Sequence, residues 1–390
     1  MNKRCSIFSF FAGSGFLDLG FELSGFNIAY VNEIFLPFLQ AYRYSRQCLN
    51  LPLPEYGYSE GEETDVTHLT AGKEALKLRE LIEDARTNND LIGFIAGPPC
   101  PDFSVGGKNR GHEGEKGKLS AAYVELIFQQ QPDFFLFENV KGLWRTQKHR
   151  VFFENCKTCL NQAGYVLTER LINAIEYGVP QDRDRIILLG FRNNLIKDMG
   201  ININEYDKVL PEGVFPWNSQ ILYPKSQAFA YSWPSRDLFK EDSILPCADG
   251  IPQELMVESW FKQNDVINHP NAEHCFKPKA GLKRFAAVDE GDDSRKSFKR
   301  LHRWRYSPTA CYGNNEVHLH PYKVRRLSVA EVLAIQSLPK DFVLPASMTL
   351  SNMFKTVGNG VPFLAARAIA KSIVEFLGAS EWHYEQPSYR

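Results

Sequence analysis

Five short apolar runs, separated by helical patterns, dominate the first half of the chain and restrict it to few folds. The runs are Cys5–Phe10, Asn27–Asn32, Leu91–Ala96, Phe134–Glu138 and Arg185–Phe191. Helical patterns lie between them at Gly15–Ser24, Leu36–Tyr44, Lys73–Ala85, Ala121–Gln130 and Val151–Ala163. Such alternation predicts an α/β fold with a mostly parallel sheet covered on both faces. After Phe191 the rhythm breaks into a stretch rich in Pro, Asn, aromatic and charged residues. Helical periodicity returns at Val329–Gln336 and Val361–Phe376. The expected organisation is a first domain over 1–192, a smaller irregular domain over 193–323, and a return over 324–390 that completes the first.

Length agrees with two lobes: 390 residues are many for one core. The net charge of −1 means that any affinity for nucleic acid must come from local positive charge. Lys3 and Arg4 precede an apolar run, but that run is short and an amphipathic pattern with Asp18 and Glu22 follows, so no signal peptide is expected. No stretch of about 18 apolar residues exists, so no membrane span is expected. The eight cysteines are scattered, unlike a secreted disulfide framework. Cys156-x-x-Cys159 lacks a second pair at zinc-ribbon spacing, and no metal is expected.

The first turn, Phe11-Ala12-Gly13-Ser14-Gly15, joins a strand to a helix. Glycine there lets the backbone approach a ligand, although a plain tight turn has the same composition. A dinucleotide fingerprint needs a third glycine where Asp18 stands, which disfavours NAD or FAD. Glu33 ends the second strand, where a carboxylate can take both hydroxyls of a ribose. Asp65 follows the next connection and can accept from an adenine amino group. Either acid alone reads equally as a cap or a surface charge. With the turn, they describe a nucleoside pocket at the carboxyl ends of the strands. No Walker lysine follows, which disfavours a phosphate-binding loop.

The third strand runs into Gly97-Pro98-Pro99-Cys100-Pro101-Asp102-Phe103-Ser104. Prolines on both sides keep Cys100 out of a regular element and hold it where an α/β enzyme places reactive groups. Residues 105–118 contain five glycines among charged side chains, the composition of a loop that closes on a substrate. The next strand carries Glu138 to its tip, and apolar surroundings raise a carboxyl's pKa. Arg183 and Arg185, two apart, share a face and suit an anion or a polar edge, or else an ion-pair ladder with Asp182 and Asp184.

In this order and spacing the sequence resembles the C5-cytosine DNA methyltransferase family. The residues that carry the resemblance are Phe11-Ala12-Gly13-Ser14-Gly15, Pro98-Pro99-Cys100, Glu138-Asn139-Val140 and Gln181-Asp182-Arg183-Asp184-Arg185. Arg326-Leu327-Ser328 with Glu331 and Gly358-Asn359-Gly360-Val361-Pro362 complete the set. The resemblance implies a Rossmann-like S-adenosylmethionine-dependent catalytic domain, with a target-recognition domain over 193–323. It implies methyl transfer from S-adenosylmethionine to C5 of a flipped cytosine in duplex DNA. Cys100 would be the nucleophile, Glu138 the proton donor to the ring, and Arg183 and Arg185 would hold the base and Glu138. Phe11, Gly13, Gly15, Glu33, Asp65, Pro99 and Asn359 would form the cofactor pocket. A bacterial cytoplasmic setting and a companion restriction endonuclease belong to the same implication. Three departures stand out: Pro101 replaces the family's Gln, Ser9 its Asp, and Phe16 its Gly.

Arg295, Lys299, Arg300, Arg303, Arg305 and Arg326 crowd a segment interleaved with Trp304, Tyr306 and Tyr312. That pattern predicts phosphate contacts, joined by Ser104, Lys108 and Arg110 of the loop after Cys100. The acidic stretch Glu241–Trp260 is expected to face away from DNA. Two competing readings are a tRNA cytosine-5 methyltransferase and a non-catalytic DNA-binding regulator on the same fold. The first wants a Cys-Phe-Thr signature, and the nearest match, Cys275-Phe276-Lys277, lacks the Thr. Intact Cys100, Glu138 and Arg183 disfavour the second.

Overall fold

The computed structural model describes residues 5–87, 91–99, 115–145, 147–204, 206–278, 281–294, 297–312 and 317–378. Six strands form one sheet: β1 (Cys5–Phe10), β2 (Asn27–Asn32), β3 (Leu91–Ala96), β4 (Phe134–Val140), β5 (Tyr165–Asn173) and β6 (Asp184–Arg192), in the order β2-β1-β3-β4-β6-β5. β1 through β4 run parallel, whereas β6 is antiparallel to both β4 and β5. The sheet is therefore α/β and mostly parallel, with one reversed strand. That reversal brings the start of β6 to the edge where the parallel strands end.

Strands buried on both faces read as continuous apolar runs, and helices supply the cover. One face packs on helices Phe16–Glu22 and Phe363–Phe376 through Phe21, Ala366 and Ile373. The other packs on Gly72–Thr87, Glu115–Gln130 and Gln147–Gln162 through Ile82, Tyr123 and Phe153. The C-terminal return is thus part of the core. Gly20 is why it fits so tightly: a Cβ there would collide with Ala366 and the backbone at Arg367.

The irregular region begins later than its composition suggests. Val209 bridges to Leu167 of β5, and Phe215 packs on Phe191 and Phe376. The chain therefore stays on the sheet for some 20 residues past 192. Beyond it, residues 225–326 contain short helices and isolated bridges, held largely by side chains. No helix among the described residues is long and apolar enough to cross a membrane.

Candidate active site

The first turn is shaped for close approach. Phe11 has φ of 54°, Gly13 58° and Gly15 80°, all left-handed. A bulky residue such as Phe11 in that region marks a constrained functional backbone. The turn is fixed from two sides. Ser14 Oγ meets Thr356 Oγ1 at 2.7 Å, and Gly13 N donates to Glu33 Oε2 at 2.9 Å. Phe35 N donates to Glu33 Oε1 at 2.8 Å, so one carboxylate ties the end of β2 to the turn. Burial pushes the Glu33 carboxyl above its usual value, against the backbone N–H groups of Phe35 and Gly13. Asp65 caps a short helix by accepting from Thr67 N and Oγ1 through Oδ1. Among the described residues Oδ2 takes no hydrogen bond.

Beneath this turn lies a charged cluster that the sequence reading did not find. Asp18 accepts from Ser9 Oγ at 2.8 Å and from Tyr42 at 3.0 Å. Arg46 stacks 3.5 Å from the centroid of the Tyr42 ring and pairs with Glu22 at 3.3 Å. A Cβ on Gly15 would strike both Arg46 and Tyr42. The only signal was the polar residues at Asp18, Glu22 and Arg46 on helices whose neighbours are apolar.

At the carboxyl edge of the sheet, Arg185 is opposite Val140, and Glu138 lies two residues back on the same face. Arg185 Nε reaches the Glu138 carboxylate at 2.7 Å, with both side chains about nine-tenths buried. Burial raises the Glu138 carboxyl, and Arg185 and then Arg183 oppose that rise. The other carboxylate oxygen covers Gly97, where a Cβ would come within 2.8 Å of it. Glu138 is thus laid over the backbone that leads through Pro98 and Pro99 to position 100. Pro99 is half-buried; Cys100, Ser104, Lys108 and Arg110 lie outside the described residues.

Arg183 plays another part than the one expected. Among the described residues its hydrogen bonds go to Ala310 O at 3.0 Å, Gly358 O at 2.8 Å, Gly360 O at 3.0 Å and Gln181 Oε1 at 3.5 Å. Its guanidinium is buried, and that burial, with Arg185 beside it, brings its pKa down to about 9. It clamps the end of helix Leu350–Asn359 and the residue before Cys311 to the start of β6. Asn359 stands exposed at the end of that helix.

The basic segment also divides. Arg300 is fully buried and donates to the carbonyls of Val288, Phe285, Lys323 and His320. Arg303 is forked onto Glu290 at 2.7 and 2.8 Å and onto Ser243. Arg326 is buried beside the rings of Phe285 and Phe298. The expectation that these three present charge to phosphates is corrected: a region with little regular structure has buried carbonyls to satisfy, and Arg carries five donors. Lys299 and Arg305 remain partly exposed, and Arg295 lies outside the described residues. The acidic stretch packs on the basic one, through Asp242 with Lys323 and Glu258 with Tyr322.

A family model described as C-5 cytosine-specific DNA methylase matches residues 5–375. The Type II methyltransferase M.NmeDI of Neisseria meningitidis serogroup C is 54% identical over 384 residues, covering 98% of this chain and 86% of that one. The Type II methyltransferase M.MthTI of Methanothermobacter thermautotrophicus is 28% identical over 378 residues, covering 94% and 96%. A solved structure titled a putative DNA modification methyltransferase encoded within an E. coli prophage has a TM-score of 0.61 at 22% identity, covering 96% of this chain and all of that one. The S. pombe Dnmt2 methyltransferase has a TM-score of 0.58 at 14% identity, covering 97% and 100%. At those identities the two structures speak to the fold.

Proposed function

Because the chain belongs to the C-5 cytosine-specific DNA methylase family, we propose that its Cys100, Glu138 and Arg185 methylate carbon 5 of a cytosine turned out of duplex DNA. It is a DNA (cytosine-5-)-methyltransferase by membership. The observation that carries the residue assignment is the buried Glu138–Arg185 pair laid over Gly97, three residues before the cysteine.

The chemistry follows from the poor nucleophilicity of cytosine C5. The Cys100 thiolate adds to C6, and a thiol suits this because it is also a good leaving group. Glu138, whose carboxyl burial raises above its usual value, donates to N3 and makes C6 electrophilic. Arg185 keeps the Glu138 carboxyl on the pyrimidine edge. The electron pair thus gathered at C5 would take the methyl group as its bond to sulfur breaks; water then takes the C5 proton, the C5–H electron pair expels the thiolate from C6, and N3 returns its proton to Glu138. Arg183 holds the pocket together and touches no reacting atom.

The residues around the first turn suit S-adenosylmethionine. A left-handed backbone lets the cofactor approach, Glu33 offers a fixed carboxylate to a diol, and Asp65 has a free oxygen for an amino group. Phe11 supplies an aromatic face. When bound, S-adenosylmethionine supplies an electrophilic sulfonium methyl. The relatives are named Type II methyltransferases, and we take the same role for this chain, as a modification enzyme working beside a restriction endonuclease in the cytoplasm.

Labelled S-adenosylmethionine incubated with duplex DNA and, separately, with tRNA tests the reading. We expect 5-methyldeoxycytidine from DNA alone, none with Cys100→Ala, and retained DNA binding in that variant. Label confined to tRNA overturns it.

A further inference from the structure

We propose that Lys141 and Lys225 form a clamp for a backbone phosphate of the DNA, with Asp184 as the residue that holds both ammonium groups ready; this rests on DNA being the substrate. Lys141 Nζ lies 2.7 Å from Asp184 Oδ2, and Lys225 Nζ lies 2.6 Å from Asp184 Oδ1. The carboxylate is itself fixed by Asn173 Nδ2, at 2.9 Å from Oδ1. The same amide holds Asp182 at 2.7 Å, so Asn173 sets the conformation of the whole 182–184 run.

Three features separate this cluster from an ordinary surface ion pair. First, one carboxylate is shared by two ammonium groups, which brings both to one point of the surface. Second, the lysines are about half exposed, at 49% and 40%, while Asp184 is only 18% exposed. The cations therefore face solvent, each with no other hydrogen-bond acceptor among the described residues, and the anion lies behind them. Third, the place is right: Asp184 precedes Arg185, which holds Glu138, and Lys141 is three residues past Glu138. Arg145 and Arg150 stand exposed just beyond. Lys141 comes from just past β4 and Lys225 from the far side of the 193–224 connection, and the two meet on Asp184, beside the arginine that holds Glu138.

A phosphodiester is the anion this geometry favours. It presents two oxygens to two separate point donors, and Lys is suited to that contact. Such a contact carries no sequence information and fixes register, here of the nucleotide next to Glu138.

Binding of fluorescein-labelled duplex DNA by wild type, Lys141→Gln, Lys225→Gln and the double variant, across a range of salt, tests the clamp. Lys197→Gln is the control, because Lys197 is exposed just past the far end of β6, at the opposite edge of the sheet. The double variant gives up one phosphate contact and should make the slope of log affinity against log salt shallower by about 1, with each single variant between it and wild type. Lys197→Gln should leave it unchanged. An unchanged slope in a double variant that keeps its melting temperature overturns the proposal. So does a slope that changes as much in Lys197→Gln. Methyl transfer by the wild type, run alongside, reports the parent reading separately. A protein that binds DNA and leaves it unmethylated sinks that reading while the slopes still judge the clamp.

Discussion

Arg185 Nε sits 2.7 Å from the Glu138 carboxylate across two neighbouring antiparallel strands, and no other cation that close to Glu138 is found among the described residues. Glu138→Gln keeps the shape and removes the carboxyl that donates to the ring, so kcat should fall by roughly 10²–10⁴ with DNA affinity little changed. The Glu138 carboxyl is raised by burial, with Arg185 and Arg183 opposing. The protonated, active form therefore persists below that raised value and is lost as pH rises through it. A kcat/KM profile should show this alkaline fall in wild type and lack it in Glu138→Gln.

Gly97→Ala is a sharper probe of the same geometry. The added Cβ would stand 2.8 Å from a carboxylate oxygen that Arg185 pins from the other side. The carboxyl must move, and a displacement of about 1 Å is enough for roughly a hundredfold loss. Turnover should drop by that order while the melting temperature and the affinity for S-adenosylmethionine stay near wild type.

Glu33→Ala should raise the dissociation constant for S-adenosylmethionine at least tenfold, read by calorimetry. It removes the group offered to the ribose and the acceptor of Gly13 N and Phe35 N together. Unchanged affinity would show that the pocket is elsewhere.

Arg300 and Arg305 are two residues of one basic run with opposite expected phenotypes. Arg300→Met leaves buried carbonyls without donors and should cost about 3 kcal/mol or more of stability in denaturant unfolding. Arg305 is 24% exposed, and Arg305→Gln should instead flatten the salt dependence of DNA binding by about 1 with little loss of stability.

That contrast also marks where sequence reading stops. Five strands could be read because burial on both faces makes their apolar runs continuous. β5 escaped because it is an edge strand in which Glu169 and Arg170 interrupt the pattern; they face Lys157 and Asn218. Helix Leu350–Asn359 was overlooked because it is short, although Leu350, Met353, Phe354 and Val357 recur at helical spacing and pack into one cluster. Glu33 and Glu138 were legible because a charge at the tip of an apolar strand is conspicuous. Arg300, Arg303 and Arg326 were misread because charge in an irregular stretch has no period to say which way it points. The hold of Arg183 on the carbonyls of residues 310, 358 and 360 was not legible, since those partners lie far along the chain.

Those carbonyls belong to residues 310, 358 and 360, made 127 to 177 positions after the arginine that binds them. A nascent chain can lay down the first four strands early, yet the pocket stays unlatched until residue 360 has left the ribosome. Contacts of such long range form late and slowly. Shortened chains ending before about residue 360 leave Arg183 without two of those carbonyls and should be inert in methyl transfer.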